Sequence, residues 1–350
     1  MKTLVGFVVI IALVVWAKMS VAHHSTSEYD QTVLVDVEGV VSKKFWRNPH
    51  VIFHVTTTEK GGEEEWLIEG GSVSNQQRRG IGSDVINVGD KITVAGFAST
   101  RRENDMIMRH ILLASGEELM VSANSQPRWP DAQSAKFEAA GPTAEDIAEA
   151  KASADGMFRI WSWGRLEIGW WFFAGPDALP LTDAALEKFA GWDEYRDNPQ
   201  LTCIPPGMPA TMGNPYPIEF VQVDENTIVM NAHEFDVTRT IHLNAEIDRS
   251  VPDSLMGYSV GKWEDENTLV VDTVNINYPY LNRVGISAGP DIETHERFVV
   301  NEEEGKLHYY LTVTDPWALT EPLERELLWV WEPGVQVGSY DCEVSDVYAQ

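Results

Sequence analysis

His23 and His24 follow Ser20-Val21-Ala22, a string with small residues at the −3 and −1 positions of an export-signal cleavage site. Cutting there would give His23 a free α-amine beside its imidazole, two nitrogens that suit Cu(II). His50 and His54 share one strand face by the period of two and could add further nitrogens, with His110 on another strand to close the set. A solvated N-terminus with scattered surface histidines is the simpler reading of the same residues. Copper is the one cofactor candidate, with His23, His24, His50 and His54 as its ligands. Further along, Glu219, Glu234, Arg239, Glu264, Glu296 and Arg297 fall in or beside strand-like runs, with His233, His242 and His295 nearby. A lumen-facing salt bridge between Glu219 and Arg239 could orient a ligand, or could be purely structural. Trp161 and Trp163 alternate on one strand face, as do Trp329 and Trp331, and indoles converging this way could line a cavity. Core packing is the plainer account of them. The candidate ligand-binding set is Glu219, Arg239, Trp263, Glu296, Arg297, Trp329 and Trp331.

Gly257-Tyr-Ser259-Val-Gly261 matches the pattern of a serine nucleophile elbow. That device needs a strand running into a helix, and here Lys262-Trp263-Glu264 and a hairpin follow, so the context argues for a glycine-bent strand. The acidic runs Glu63–Glu65 and Glu302–Glu304 lack the spacing of a calcium loop. No catalytic dyad can be assigned from sequence alone.

The elements that must position these residues begin with a signal peptide over 1–22, whose apolar run Leu4–Ala17 is too short to span a bilayer comfortably. An uncleaved N-terminal anchor is the alternative. Residues 23–121 are rich in β-branched alternation: strands at Val33–Val41, Val51–Val55 and Trp66–Glu69, a short helix within Ser72–Arg79, then strands at Lys91–Phe97 and Met106–Leu113, the last extended by Glu118–Val121. That order is OB-like. Residues 122–156 form a Pro-bearing linker ending in a short helix capped at Thr143. Residues 157–350 carry a second helix capped at Thr182 and about nine short strands, from Ile218–Val223 to Leu327–Trp331 and Val335–Tyr340. The expected fold is all-β with a few short helices, a small OB-like barrel followed by a larger antiparallel, lipocalin-like barrel.

The formal charge of −28 argues against nucleic-acid partners, which need clustered Lys and Arg, and against anionic membrane surfaces. No second apolar run is long enough for a membrane span. Cys203 and Cys342 are the two cysteines, an even count that fits a disulfide in an oxidising compartment.

Several strings carry a resemblance: Ala22-His23-His24-Ser25, Trp46-Arg-Asn-Pro49-His50, Arg78-Arg79-Gly80, Val88-Gly89-Asp90-Lys91, Pro205-Pro206-Gly207-Met208-Pro209, Pro215-Tyr216-Pro217-Ile218-Glu219, Gly257 through Glu264, Thr268 through Thr273, Glu296-Arg297-Phe298 and Asp315-Pro316. Together they resemble an uncharacterised family of secreted bacterial two-domain proteins, which implies no activity. Where its members place an Asp-Gly turn after the strand holding Arg239, this chain has Asn244-Ala245. The leading functional expectation is a periplasmic or extracellular protein holding a small, largely apolar ligand in the second barrel. An enzyme of hydrolase or isomerase type inside that barrel is the alternative, and a structural partner in the cell envelope is a third. Convergent His and carboxylate groups would favour catalysis, and aromatic walls alone would favour binding.

Overall fold

A 17-residue strand, β1 (Tyr29–Phe45), organises the first domain. Its first part pairs with β4 (Lys91–Ser99) and its last part with β2 (Ile52–Thr57). β1 turns from one partner to the other around Gly39, where a Cβ would lie 2.4 Å from the Thr56 carbonyl oxygen. β3 (Glu64–Glu69), α1 (Val73–Gln77) and β5 (Asp105–Leu113) complete the unit, in strand order β3-β2-β1-β4-β5 with a parallel β3–β5 pairing that closes it. This is the OB-like barrel. The computed structural model describes residues 29–58, 62–121, 126–134, 141–164 and 174–347. Val37, Val41, Phe53, Val55, Ile68, Val94 and Ile111 fill the core, each at the inward parity of its strand. Ser72 caps α1, and a turn after Leu113 makes residues 117–120 a separate strand, β6 (Glu117–Met120), rather than an extension of β5. β7 (Gln133–Ser134) pairs with β6, so residues 126–134 lie against the first domain.

The second domain opens with α2 (Ala144–Ser153), whose Thr143 and Asp146 form a reciprocal capping box. Then come β8 (Ile160–Trp163), α3 (Asp183–Ala190), capped by Thr182, and α4 (Glu194–Asp197), capped by Asp193. Eight strands follow: β9 (Ile218–Asp224), β10 (Thr227–Ala232), β11 (Val237–Leu243), β12 (Tyr258–Asp265), β13 (Thr268–Val274), β14 (Glu293–Asn301), β15 (Lys306–Thr314) and β16 (Leu323–Val330). They close with β8 into a nine-stranded barrel, antiparallel except for the β11–β12 pair. Val335–Tyr340, expected as the last strand, is not one. Val337 is 40% exposed and the run has no ladder partner, so its alternation is not used, and β8 closes the barrel instead.

Cys203 and Cys342 are joined in a disulfide. Cys342 lies in the C-terminal segment, not in a barrel strand. That segment returns to the first domain, where Cys342 bridges Asn48 and Glu343 N donates to the Asn48 carbonyl at 3.0 Å.

Candidate functional site

The second barrel's axis is occupied by side chains. Phe220, Phe298, Tyr309 and Trp329 pack in series, with centroid separations of 5.2, 4.8 and 5.4 Å. Arg239 and Glu296, both fully buried, form an ion pair there. Arg239 Nε donates to Ser259 Oγ at 2.9 Å, Nη1 to Glu296 Oε1 at 2.9 Å and Nη2 to Thr273 Oγ1 at 2.7 Å, while Tyr309 donates to Glu296 Oε1 at 2.8 Å. The network crosses five consecutive strands, β11 to β15, and satisfies both charges with hydrogen bonds. Ser259 is thus buried within β12, with no helix following it, as the failed elbow context implied.

Glu219 is not the partner of Arg239. Ile218 and Phe220 take the inward positions of β9, so Glu219 points out and accepts from Asn231 Nδ2 at 3.2 Å. Arg297 likewise points out, to Glu264 at 3.0 Å. Trp263 packs edge-on to Phe158, and Trp331, just past β16, faces the Arg159 guanidinium at 4.4 Å. Of the expected ligand-binding residues, Arg239, Glu296 and Trp329 therefore lie in the filled core, Trp263 and Trp331 pack half-buried against it, Arg297 is on the outer surface, and Glu219 lines a surface cleft of about 550 Å³ together with Trp331.

Chemistry-bearing groups converge elsewhere, in a cavity of about 340 Å³ between the two domains. His50 enters it from the loop before β2, and its Nδ1 lies 2.8 Å from Glu69 Oε1 at the end of β3. Tyr195 donates its hydroxyl to Glu69 Oε2 at 2.9 Å. Glu194, beside it on α4, accepts from Asn198 Nδ2 at 2.5 Å, and its Oε2 is sealed from solvent without a hydrogen-bond partner. Arg283 reaches Glu234 Oε1 at 3.5 Å, and Asn214 donates to the other oxygen of Glu234. Tyr29, Tyr216 and Tyr340 complete the walls, with Tyr216 donating to Ser72 Oγ at 2.8 Å. Phe235 and Asp236, with φ of 58° and 51°, turn the chain beside the cavity in the left-handed region, which costs non-glycine residues roughly 1–2 kcal/mol each. Tyr340 holds them, donating its N–H to both Asp236 carboxylate oxygens at 3.1 Å and packing its ring 4.5 Å from Phe235.

Burial pushes Glu194 up to about 7, against the hydrogen bond from Asn198. Burial likewise raises Glu234 to about 7, against the pull of Arg283 and His50. At His50, burial favours the neutral ring, but the Glu69 carboxylate outweighs it and holds the imidazole above its ordinary value. All three groups bind protons more tightly in the folded protein than in the unfolded chain. The stability they contribute is therefore full below their ordinary values; that of the two glutamates is lost as pH rises through about 7, and that of His50 as pH rises through its own raised value. Glu234→Gln should flatten the fall in urea midpoint between pH 5 and pH 8; an unchanged slope would show that Glu234 is ionised throughout.

Among the described residues, each histidine expected at the metal site has a carboxylate partner. His23 and His24 lie outside the described residues. His50 is held by Glu69, His54 by Glu65 at 2.9 Å, and buried His110 by Glu118 at 2.8 Å. Among the described residues no cluster of three or more His, Cys, Asp or Glu could hold a metal ion.

Residues 11–106 match the model of a family of unknown function, DUF6152. No curated protein matches the chain. Among solved structures, one crystal form of the S. cerevisiae mitochondrial single-stranded DNA binding protein Rim1 aligns at 11% identity and a TM-score of 0.20, over 23% of this chain and 92% of that one. A murine DNA binding protein bound with double-stranded DNA aligns at 7% identity and a TM-score of 0.14, over 85% of this chain and 96% of that one. Similarity this low carries no argument about fold or partner.

Proposed function

We propose that the protein is an exported enzyme of acid–base type, a hydrolase or isomerase, acting on a small molecule in the cleft between its two domains. The observation that carries this reading is the convergence of His50, Glu69, Glu194 and Arg283 around one cavity, with Glu234 paired to Arg283 behind its wall. With Glu69 at Nδ1, neutral His50 carries its proton there and its lone pair on Nε2, the arrangement of a general base. Glu194, near half-protonation at neutral pH, is suited to act as the acid. Export is part of the reading, supported by the sequence features of residues 1–22 and by the disulfide.

The test incubates periplasm-purified protein with a small-molecule extract and follows depletion by mass spectrometry. His50→Gln and Glu194→Gln should each slow any turnover by about 10²–10⁴-fold. Turnover that survives both changes defeats the assignment. A molecule retained in native mass spectrometry, lost in Arg283→Leu and never converted, would make the cleft that of a binding protein.

A further inference from the structure

α4 brings two adjacent residues to the cleft. Glu194 lines it, while Tyr195 donates to Glu69 Oε2 at 2.9 Å as Glu69 Oε1 meets His50 Nδ1 at 2.8 Å. The Glu69 carboxylate is thus held from both ends, by its own domain and by the other. Tyr195 is gripped in turn. The Arg102 guanidinium lies 3.4 Å from its ring centroid, and Arg102 Nε donates to Asp105 Oδ2 at 2.8 Å. The α4 cap Asp193 accepts from Arg101 at 3.1 Å. Two consecutive arginines after β4 therefore clamp the short helix that carries both Glu194 and the hydroxyl at Glu69.

We infer that Tyr195 is a positioning residue for His50: its hydroxyl fixes Glu69, Glu69 fixes the imidazole proton on Nδ1, and the arginine clamp makes this arrangement depend on domain docking. A neutral imidazole has one proton, and a carboxylate can only accept, so the orientation of Glu69 selects the tautomer. Glu69 is itself buried, so an Oε2 that loses the Tyr195 hydroxyl would turn toward another donor, taking Oε1 with it. The other charged groups acting on His50 are Glu194 from α4 and Glu234 and Arg283 from loops of the second domain. The purpose of this arrangement rests on the acid–base reading of the cleft; its geometry does not.

Tyr195→Phe keeps the ring under Arg102 and removes the hydroxyl alone. In full-length protein carrying ¹⁵N-histidine, at a pH where His50 is neutral, the ratio of Nδ1–H to Nε2–H tautomer at His50 should fall about threefold or more. His54, paired with Glu65 at 2.9 Å, should keep its own ratio and so report an intact first domain. Arg102→Lys, which preserves a cation for Asp105 but loses the planar contact with Tyr195, should shift His50 in the same direction. An unchanged His50 ratio in Tyr195→Phe overturns the inference and leaves the acid–base reading untouched. A shifted ratio supports the inference even where no turnover is found, and then only the enzymatic reading fails.

Discussion

Glu296→Gln should destabilise the second barrel by about 3–5 kcal/mol, because it leaves the Arg239 charge buried without its counter-ion. The substitution nearly conserves volume, so packing changes contribute little and the electrostatic loss dominates. Burial by itself would draw the guanidinium down, and Glu296 outweighs it to keep Arg239 charged. Replacing both members, as in Arg239→Met with Glu296→Leu, should recover much of the loss, since neither charge then needs solvation. Recovery should be incomplete, because the Tyr309 hydroxyl loses an acceptor at 2.8 Å and Ser259 and Thr273 lose their guanidinium contacts. Urea unfolding of the three proteins decides the matter. A Glu296→Gln midpoint within about 1 kcal/mol of the parent would mean that water reaches Arg239 and that the barrel is not dry.

The inward position of Arg239 was legible from the alternation of Val237, Arg239, Ile241 and Leu243, and the structure buries all four. Its partner was not, because a period of two assigns a face and says nothing about which strand lies opposite. The same rule, applied more strictly, excludes Glu219, which stands between inward Ile218 and Phe220. It admits Glu296, which shares its parity with Thr294 and Phe298. Thr143 and Thr182 were readable as helix caps because capping is local, a side chain meeting a backbone N–H three residues on. Val335–Tyr340 misled because alternation becomes a strand only where a neighbour offers a free edge, and here β8 takes that place beside β16.

The cleft was scarcely legible at all. Its residues come from loops and element ends of both domains, including His50, Glu69, Glu194, Tyr216, Arg283 and Tyr340. Such positions carry no period, and their juxtaposition exists only once two domains dock. One signal was available: Asn-Pro49-His50 and Pro215-Tyr216, two of the strings behind the family resemblance, meet there. His50 and His54 share a strand face in the sequence pattern, and in the fold each meets its own glutamate on β3. Histidine and carboxylate groups converge between the domains, where His50 meets Glu69 beside Glu194.

Cys342→Ser should lower the stability of the second domain by about 4–5 kcal/mol on the loop-entropy account, since the bond closes a span of 139 positions containing strands β9 to β16. The penalty arises mostly in the unfolded chain, which gains freedom when the cross-link is gone. A second effect belongs to the folded state. The residues around Cys342 reach across to the first domain, where Asn48 donates to the Tyr340 carbonyl and Arg47 meets Glu343 at 3.0 Å. Tyr340 also steadies Phe235 and Asp236 in their left-handed turn next to Glu234. Without the covalent tie, those contacts must hold the C-terminal segment unaided, so the Tyr340 wall of the cleft should open more often. Hydrogen exchange separates the two effects. The Tyr340 and Glu343 amides should lose protection under native conditions, β9 to β16 should exchange faster in mild denaturant, and β1 to β5 should change little. Equal protection of Tyr340 in the parent and the variant would show that side-chain contacts alone anchor the segment, and an unchanged denaturant midpoint would refute the entropic contribution.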